Sequence, residues 1–211
     1  AANGTVAAAT RLFTYDSNGF LQTSTDWNGN QTAYTNNTNG DPTTIVYASG
    51  SAVSHTTTIS YASAFPTLPY TITEPDRITT LNYDSAGNVL NRVVKDQASQ
   101  SLPYFTSGTT RTWNYTWSST GQLLTAQLPR TDVTAKTTLT YSSGALKTVT
   151  DALSHVTTVN TFTSGGLPLT VTDPNSILTT YAYSPRNWLT SSVLTLSSSA
   201  GTLTTTLAYD S

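Results

Sequence analysis

The chain is organised around an aromatic residue that returns at a fixed interval. Tyr141, Phe162 and Tyr183 are separated by a constant step of 21 residues. The segments between them also match, because a Val-Thr-Asp tract and a later Thr-Thr pair occur in both. A period above about 20 residues is the signature of a repeat architecture, in which each repeat is one small supersecondary unit. This period constrains the fold more than any value of the composition.

The same unit can be followed along the rest of the chain. Tyr15-Asp16 and Tyr83-Asp84 open the two most similar units, and each is followed by a glycine and an apolar residue. More degenerate openings lie at Asn36, Tyr61 and Tyr115, and Tyr209-Asp210 starts a further unit that the sequence does not complete. The sequence therefore predicts a single repeat region over residues 1–211, with about eight units and no internal domain boundary. Because the pattern stops within a unit and the first residue is not Met, we expect a segment of a longer protein.

Each unit is predicted to contain two strands and two tight turns. Pairs such as Phe13-x-Tyr15 alternate with the period of a half-buried strand, so both side chains lie on one face of the sheet. The Asp that follows can initiate a turn, and Gly19 or Asn187 can adopt the positive φ that such a turn requires. Strands are expected to end at Tyr15, Tyr61, Tyr83, Tyr115, Tyr141 and Tyr183. The predicted fold class is all-β, with tandem antiparallel β-hairpins.

Charge and composition exclude several classes of protein. Lys and Arg number 9, Asp and Glu number 11, and the net charge is -2. Nucleic-acid binding needs clustered basic residues, and a membrane helix needs a long apolar run, neither of which is present. The abundant Thr and Tyr are strand-forming residues. We therefore expect an ordered β protein with no thick core, no nucleic-acid partner and no membrane span.

Two units are longer than the others. Residues 97–109 intrude before the strand that leads to Tyr115, and residues 195–202 lengthen the unit that ends at Tyr209. Loops carry binding functions more often than the scaffold does. Both segments are nevertheless interpreted as tolerated surface insertions.

These units resemble the YD repeat, also called the Rhs repeat. The resemblance is carried by Tyr15-Asp16 with Gly19, by Tyr83-Asp84 with Gly87, and by Tyr209-Asp210. It covers nearly the whole chain, and several matches in register are more specific than one. Only these three units keep a literal Tyr-Asp pair, and the aspartyl self-cleavage motif that closes bacterial toxin forms is absent from the sequence.

The resemblance implies a long β-sheet that spirals into a hollow shell or solenoid. Bacterial insecticidal-toxin subunits and Rhs toxins use such a shell to enclose a toxin, and teneurins use it as an extracellular scaffold. It therefore implies a non-enzymatic structural segment of a large secreted protein, located outside the cell or on its surface. The implied partners are further repeats of the parent chain, other protein chains and an enclosed polypeptide cargo.

Candidate reactive residues are explained by their positions in the repeat. The acids lie in or beside predicted turns, and His55 and His155 follow second turns. We therefore predict no enzyme activity and no catalytic, cofactor-binding or metal-binding residues. Calcium binding by turn acids stays open, although no spacing resembles a dedicated calcium loop. Zinc would need three or four ligands, and the chain has no cysteine.

The tryptophans support the main alternative function. Trp27 and Trp117 are placed in turns and are the better candidates for stacking on a sugar, whereas Trp113 and Trp188 occupy repeat-core positions. The alternative is a cell-surface adhesin or carbohydrate-binding fibre built from the same repeats, with a glycan as its partner.

Overall fold

Seventeen antiparallel β-strands and no helix account for the regular structure of the described residues. The computed structural model describes residues 10–99, 106–196 and 201–210. The strands are β1 Leu12–Tyr15, β2 Leu21–Thr25, β3 Gln31–Asn36, β4 Pro42–Tyr47, β5 His55–Ala62, β6 Phe65–Glu74, β7 Arg77–Tyr83, β8 Val89–Asp96, β9 Thr110–Trp117, β10 Leu123–Gln127, β11 Lys136–Ser142, β12 Ala145–Thr150, β13 Val156–Phe162, β14 Pro168–Thr172, β15 Leu178–Tyr183, β16 Leu189–Thr195 and β17 Thr202–Thr206. The predicted all-β class with tandem antiparallel hairpins is confirmed. In this part of the chain no long apolar helix of the kind that crosses a bilayer is found.

The chain divides into two compact units, residues 1–112 and 113–211, and the division falls within β9. In the first unit each strand from β1 to β8 pairs with the next strand in sequence. In the second unit the strands from β9 to β17 do the same. Each unit is therefore an antiparallel meander. The prediction of one repeat region over residues 1–211 stays a prediction.

The predicted strand ends are correct at three of the six tyrosines. β1, β7 and β15 end at Tyr15, Tyr83 and Tyr183, whereas β5, β9 and β11 continue one or two residues beyond their tyrosines. The longer strands have a local cause in β9, where pairing with β10 continues to Trp117 opposite Leu123. The sequence also predicts a partial strand in residues 1–10, and residues 1–9 lie outside the described residues, as do residues 100–105 and 197–200 of the two insertions.

One five-residue turn geometry closes many of the hairpins. In the β1–β2 turn the main-chain N–H of Gly19 donates to the main-chain oxygen of Asp16 at 3.0 Å. The main-chain N–H of Asp16 donates to the main-chain oxygen of Phe20 at 2.9 Å. The fourth residue has positive φ, as predicted, with values of 83° at Gly19 and 63° at Asn187. A residue with a β-carbon is strained there, and Gly and Asn tolerate it best. The sequence thus fixes the turns through a few small residues.

Few residues are fully buried, as the narrow hydrophobic pattern predicts. Of the described residues only Val94, Ala135, Thr57 and Thr79 are buried. No large side chain among the described residues has less than 2% of its surface exposed. The strands instead alternate between half-buried and exposed positions, as in β5 and β15. Stability must therefore come from many contacts within the sheet, because no thick core supplies it.

Candidate functional site

Five of the tyrosines that open a repeat are hydrogen-bonded to the preceding repeat. Their hydroxyls donate to main-chain oxygens of an earlier strand, at 2.6–2.9 Å. The five pairs, which we call the tyrosine ladder, are Tyr61 to Pro42, Tyr83 to Pro69, Tyr141 to Leu123, Tyr183 to Pro168 and Tyr209 to Leu189. Successive repeats are thus joined by side chains as well as by the sheet.

The accepting carbonyl lies at a β-bulge in each pair. Pro168 and Leu189, for example, each follow a hairpin turn and lie where the pairing register shifts. A bulge inserts a residue and disrupts the main-chain hydrogen bonds locally. Because buried carbonyls need a donor, the tyrosine hydroxyl of the next repeat supplies one. This gives the tyrosine hydroxyl a role that an aromatic ring alone cannot fill.

Two repeats replace the tyrosine and show what the position requires. Asn36 occupies it in the second repeat, and its Nδ2 donates to the oxygen of Leu21 at 2.8 Å. Phe162 has no hydroxyl to donate. Near this repeat the Lys147 ammonium donates to the oxygen of Val159 at 2.8 Å, beside a register shift in β13. In the second repeat an asparagine amide therefore replaces the tyrosine hydroxyl as the donor. Near Phe162, the Lys147 ammonium donates to the main-chain oxygen beside the bulge.

We expect Phe162→Tyr to raise the free energy of unfolding by about 1 kcal/mol, the net value of a typical hydrogen bond. The added hydroxyl can donate to the carbonyl of Leu146, which corresponds to Pro168 one repeat earlier. Urea denaturation of both proteins measures the difference. Tyr183→Phe is the matched control and should lose about the same amount. A stability loss in Phe162→Tyr would contradict the repeat equivalence.

Three of the five ladder tyrosines are partly withdrawn from water. Burial raises the pKa of Tyr61, Tyr83 and Tyr183 above the usual value for the side chain. A phenol that must donate a hydrogen bond has to remain protonated. Burial therefore favours the protonated phenol, which is the form that donates the hydrogen bond in the ladder.

The opposite face of the strands carries short hydroxyl side chains that bond to each other. We call it the hydroxyl face. Thr140 and Thr148, on β11 and β12, approach to 2.6 Å between their Oγ1 atoms. Equivalent pairs are Thr14 with Thr23, Ser60 with Thr71, Thr116 with Thr125, and Thr161 with Thr170. Such cross-strand pairs stabilise a sheet on the face that is exposed to solvent.

The turn acids are used by the backbone, as their positions in the repeat predict. The Oδ1 atom of Asp84 accepts the N–H groups of Ala86 and Asn88 at 2.8 and 2.9 Å. Asp16, Asp26, Asp151 and Asp173 repeat this arrangement. Asn37 does the same with its amide oxygen. These groups close turns and do not converge on a common centre.

These hydrogen bonds lower the pKa of several turn carboxyls. The largest cause is the side-chain amide of Asn30 for Asp26, that of Asn88 for Asp84, and the backbone N–H of His155 for Asp151. A carboxyl with a lowered folded-state pKa stabilises the protein above the unfolded pKa, about 3.9 for Asp. That stabilisation is lost as the pH falls through the folded value.

We therefore expect the melting temperature to be constant between about pH 5 and 8 and to fall in more acidic solution. Thermal unfolding followed by circular dichroism across this range measures the effect. The variant Asp84→Asn provides the control, because the Asn37 turn shows that an amide can fill the same position without titrating. Its acid-induced loss should be smaller than that of the parent chain, and an equal loss would assign the effect to other groups.

His155 is the last residue of the turn that Asp151 opens, and His55 is the first residue of β5. The Nδ1 atom of His155 lies 2.9 Å from Oδ2 of Asp151, and the Asn30 amide makes the equivalent contact with Asp26. The His55 ring is stacked on Tyr47 at 5.0 Å between ring centres. In the described part of the chain no group of three or more His, Asp or Glu side chains is placed to hold a metal ion. The absence of catalytic and metal-binding residues stays a prediction.

The tryptophans differ from the prediction at one position. Trp27 lies in the β2–β3 turn with 63% of its surface exposed, which fits a ligand-stacking role. Trp117, expected in a turn, is the last residue of β9 and pairs with Leu123. The sequence interpretation ended that strand at Tyr115 and so missed two residues of pairing. Trp188 lies against Tyr209 at 5.0 Å between ring centres, and 41% of its surface is exposed.

The first insertion is closed by one acid that the sequence analysis did not distinguish from the other turn acids. The main-chain N–H of Asp96 donates to the oxygen of Thr109, and the N–H of Gly108 donates back to the oxygen of Asp96, at 2.9 and 2.8 Å. Its Oδ2 atom accepts the hydroxyl of Thr106 at 2.7 Å. This hydroxyl is the largest cause of a lowered pKa at Asp96. The base of the insertion is therefore an ordered hairpin-like closure.

The fold and these contacts define a repeat protein built from antiparallel β-hairpins. No family model and no curated protein matches the sequence. Among solved structures, the chain is similar to one in the crystal structure of TcdB2-TccC3 without its hypervariable C-terminal region. The TM-score is 0.75 and the identity 17%, over 96% of this chain and 11% of that one.

A second similar structure is the Photorhabdus luminescens Tc holotoxin pore with a mutation in TccC3. The TM-score is 0.73 and the identity 16%, over 97% of this chain and 11% of that one. The chain thus spans about a tenth of the length of these neighbours. The TM-scores show a shared β-sheet fold with these toxin-complex chains, and at this identity they show the fold alone.

Proposed function

We propose that this chain is a non-enzymatic YD-repeat, or Rhs-repeat, segment of a large exported protein, and that it forms part of a β-sheet wall around a polypeptide cargo. The observation that carries the proposal is the tyrosine ladder, in which five tyrosines each bond to the preceding repeat within one compact unit. It supports a continuous sheet whose role is to exclude other molecules. The fold shared with chains of a holotoxin is consistent with this role.

The proposed mechanism is steric. A sheet with paired strands offers no gap for a protease or a partner protein, because neighbouring strands are only about 4.8 Å apart. The turn acids and histidines are engaged in turn hydrogen bonds, so no reactive group is needed for this role. The parent protein would act outside the cell, with further repeats as the immediate neighbours of this segment.

The experiment uses the lack of cysteine in the chain. Two single variants are introduced into the parent protein. Thr140→Cys lies on the hydroxyl face, and Thr157→Cys lies on the opposite face, which carries the ladder tyrosines. Each is treated with a small maleimide and with the same maleimide attached to a long polymer. A closed wall should block the polymer reagent on one face only, while residues 1–211 alone should react on both faces.

Equal reaction of both faces with the polymer reagent in the intact parent would contradict the enclosing wall. That result would favour the second candidate, a surface adhesin or carbohydrate-binding fibre. The exposed ring of Trp27 is the observation behind this alternative, since exposed aromatic rings stack on sugars. Loss of glycan binding in Trp27→Ala, with stability unchanged, would then support it.

A further inference from the structure

Three Asn-Gly steps occupy the same place in the same kind of turn. They are Asn18-Gly19, Asn28-Gly29 and Asn39-Gly40, and all three asparagines are exposed. A fourth step, Asn3-Gly4, lies outside the described residues. We propose that Asn18 and Asn28 are sites of spontaneous deamidation, and that packing of Phe20 protects Asn39. This inference does not depend on the proposed function.

The reaction is an intramolecular attack by the backbone. The glycine nitrogen loses its proton and forms a bond to Cγ of the preceding asparagine, and the bond from Cγ to Nδ2 breaks. Ammonia leaves, and a cyclic succinimide remains in the chain. Water then opens the ring on either side and gives aspartate or isoaspartate. Glycine favours the attack because it has no side chain to shield its nitrogen and its backbone rotates freely.

The hydrogen bonds of the three turns are nearly the same. In each turn the glycine N–H donates to the main-chain oxygen of the first turn residue, at 3.0 Å for Gly19, 3.0 Å for Gly29 and 3.1 Å for Gly40. The asparagine N–H donates to the side chain of that first residue, at 2.8–2.9 Å. These bonds must open before the nitrogen can attack. They slow the reaction in the folded chain, but they do so equally.

Packing around the glycine distinguishes the three sites. A β-carbon built on Gly40 would lie 2.7 Å from Cε1 of Phe20, so the ring lies directly against this glycine. Nothing lies within 4 Å of the same point at Gly19 or Gly29. Rotation of the peptide between Asn39 and Gly40 therefore requires movement of the Phe20 ring. The other two peptides can rotate once their hydrogen bonds open.

Other turns of this geometry serve as internal references. Ala86 and Thr120 precede Gly87 and Gly121, and neither has a side-chain amide to lose. Asn175 precedes Ser176, whose side chain hinders the attack although its φ is 66°. The two reactive steps are thus selected by both sequence and packing.

The two sites lie at opposite ends of one strand. Asn18 is in the turn before β2, and Asn28 is in the turn after it. Isoaspartate adds a backbone carbon, which would displace the glycine N–H from its acceptor. The new carboxylates would also lie beside Asp16 and Asp26. Because β1 pairs with β2, deamidation at both turns should loosen the first hairpin from its neighbours.

The test measures the rate at each site in the folded and in the unfolded chain. Residues 1–211 are incubated in mildly alkaline buffer with and without urea, and isoaspartate is quantified by peptide mapping. In urea the three Asn-Gly steps should react at similar rates. In the folded chain we expect Asn39 to react about tenfold more slowly than Asn18 and Asn28, which corresponds to about 1.4 kcal/mol of additional barrier. Equal rates at the three folded sites would overturn the protective role of Phe20.

The variant Phe20→Ala should raise the rate at Asn39 to that of the other two sites. Phe65→Ala is the matched control, because Cε1 of Phe65 also lies beside a turn glycine, 3.6 Å from the β-carbon position of Gly87, and Ala86 and not an asparagine precedes that glycine. A similar increase at Asn39 in both variants would assign the protection to overall stability and overturn the proposal. Absence of isoaspartate at Asn18 and Asn28 in the folded chain, with all three sites reactive in urea, would overturn it as well.

Discussion

Replacing Gly40 with alanine should lower the free energy of unfolding by about 2–4 kcal/mol. Gly40 has a φ of 87°, which strains a residue with a β-carbon. The new methyl group would also overlap the ring of Phe20, at 2.7 Å from Cε1. Strain and overpacking therefore act together at this position. Urea denaturation followed by circular dichroism measures the loss.

Gly19→Ala is the matched control for this prediction. Gly19 has nearly the same φ, 83°, but nothing lies within 4 Å of its β-carbon position. Only the backbone strain remains, and we expect a loss of about 1 kcal/mol. Equal losses in the two variants would show that the Phe20 ring moves aside without cost.

Replacing Tyr83 with alanine should lower the free energy of unfolding by about 3 kcal/mol, the usual loss when a large aromatic side chain is removed from a packed site. The Tyr83 hydroxyl donates to the oxygen of Pro69 at 2.6 Å. Its ring also makes an edge contact with Phe65, at 6.3 Å between ring centres. The alanine variant loses both contacts and leaves the carbonyl at the bulge without its donor.

The Tyr83→Phe variant separates the two contributions. It keeps the ring contact and removes only the hydroxyl, so we expect a loss of about 1 kcal/mol. Chemical denaturation of the two variants under the same conditions gives both values. A loss in Tyr83→Phe as large as that in Tyr83→Ala would mean that the hydrogen bond accounts for the whole effect. No loss in Tyr83→Phe would remove the energetic basis of the tyrosine ladder.

Much of the fold follows from short-range patterns in the sequence. Alternation at pairs such as Phe13-x-Tyr15 predicts the strands, and the positions of Gly19, Gly87 and Asn187 predict the turns. Both depend on residues near each other in the chain, where side-chain periodicity and backbone preference decide the outcome. The positive φ at Gly87, 85°, is an example that needed no knowledge of tertiary packing.

The contacts between repeats could not be predicted in the same way. The tyrosine hydroxyls bond to carbonyls at bulges, and the alternation of apolar residues does not show where a strand contains an extra residue. The same limitation explains Trp117, which looked like a turn residue because the pairing of β9 with β10 is not visible in its own segment. Asp96 was grouped with the other turn acids, since its role depends on an insertion of unusual length.

Within each compact unit the described strands pair with their neighbours in sequence, and this determines how such a sheet can be assembled during synthesis. Each hairpin of a meander needs only the residues that have just been made, so the sheet can grow at its newest edge in the order of translation. Contacts that are close in sequence also form quickly, because little chain entropy is lost in closing short loops. Each new ladder tyrosine would then hydrogen-bond its hairpin to the preceding repeat, and this bond would oppose fraying of the growing edge. A long sheet could be completed by this route without any strand having to search for a distant partner.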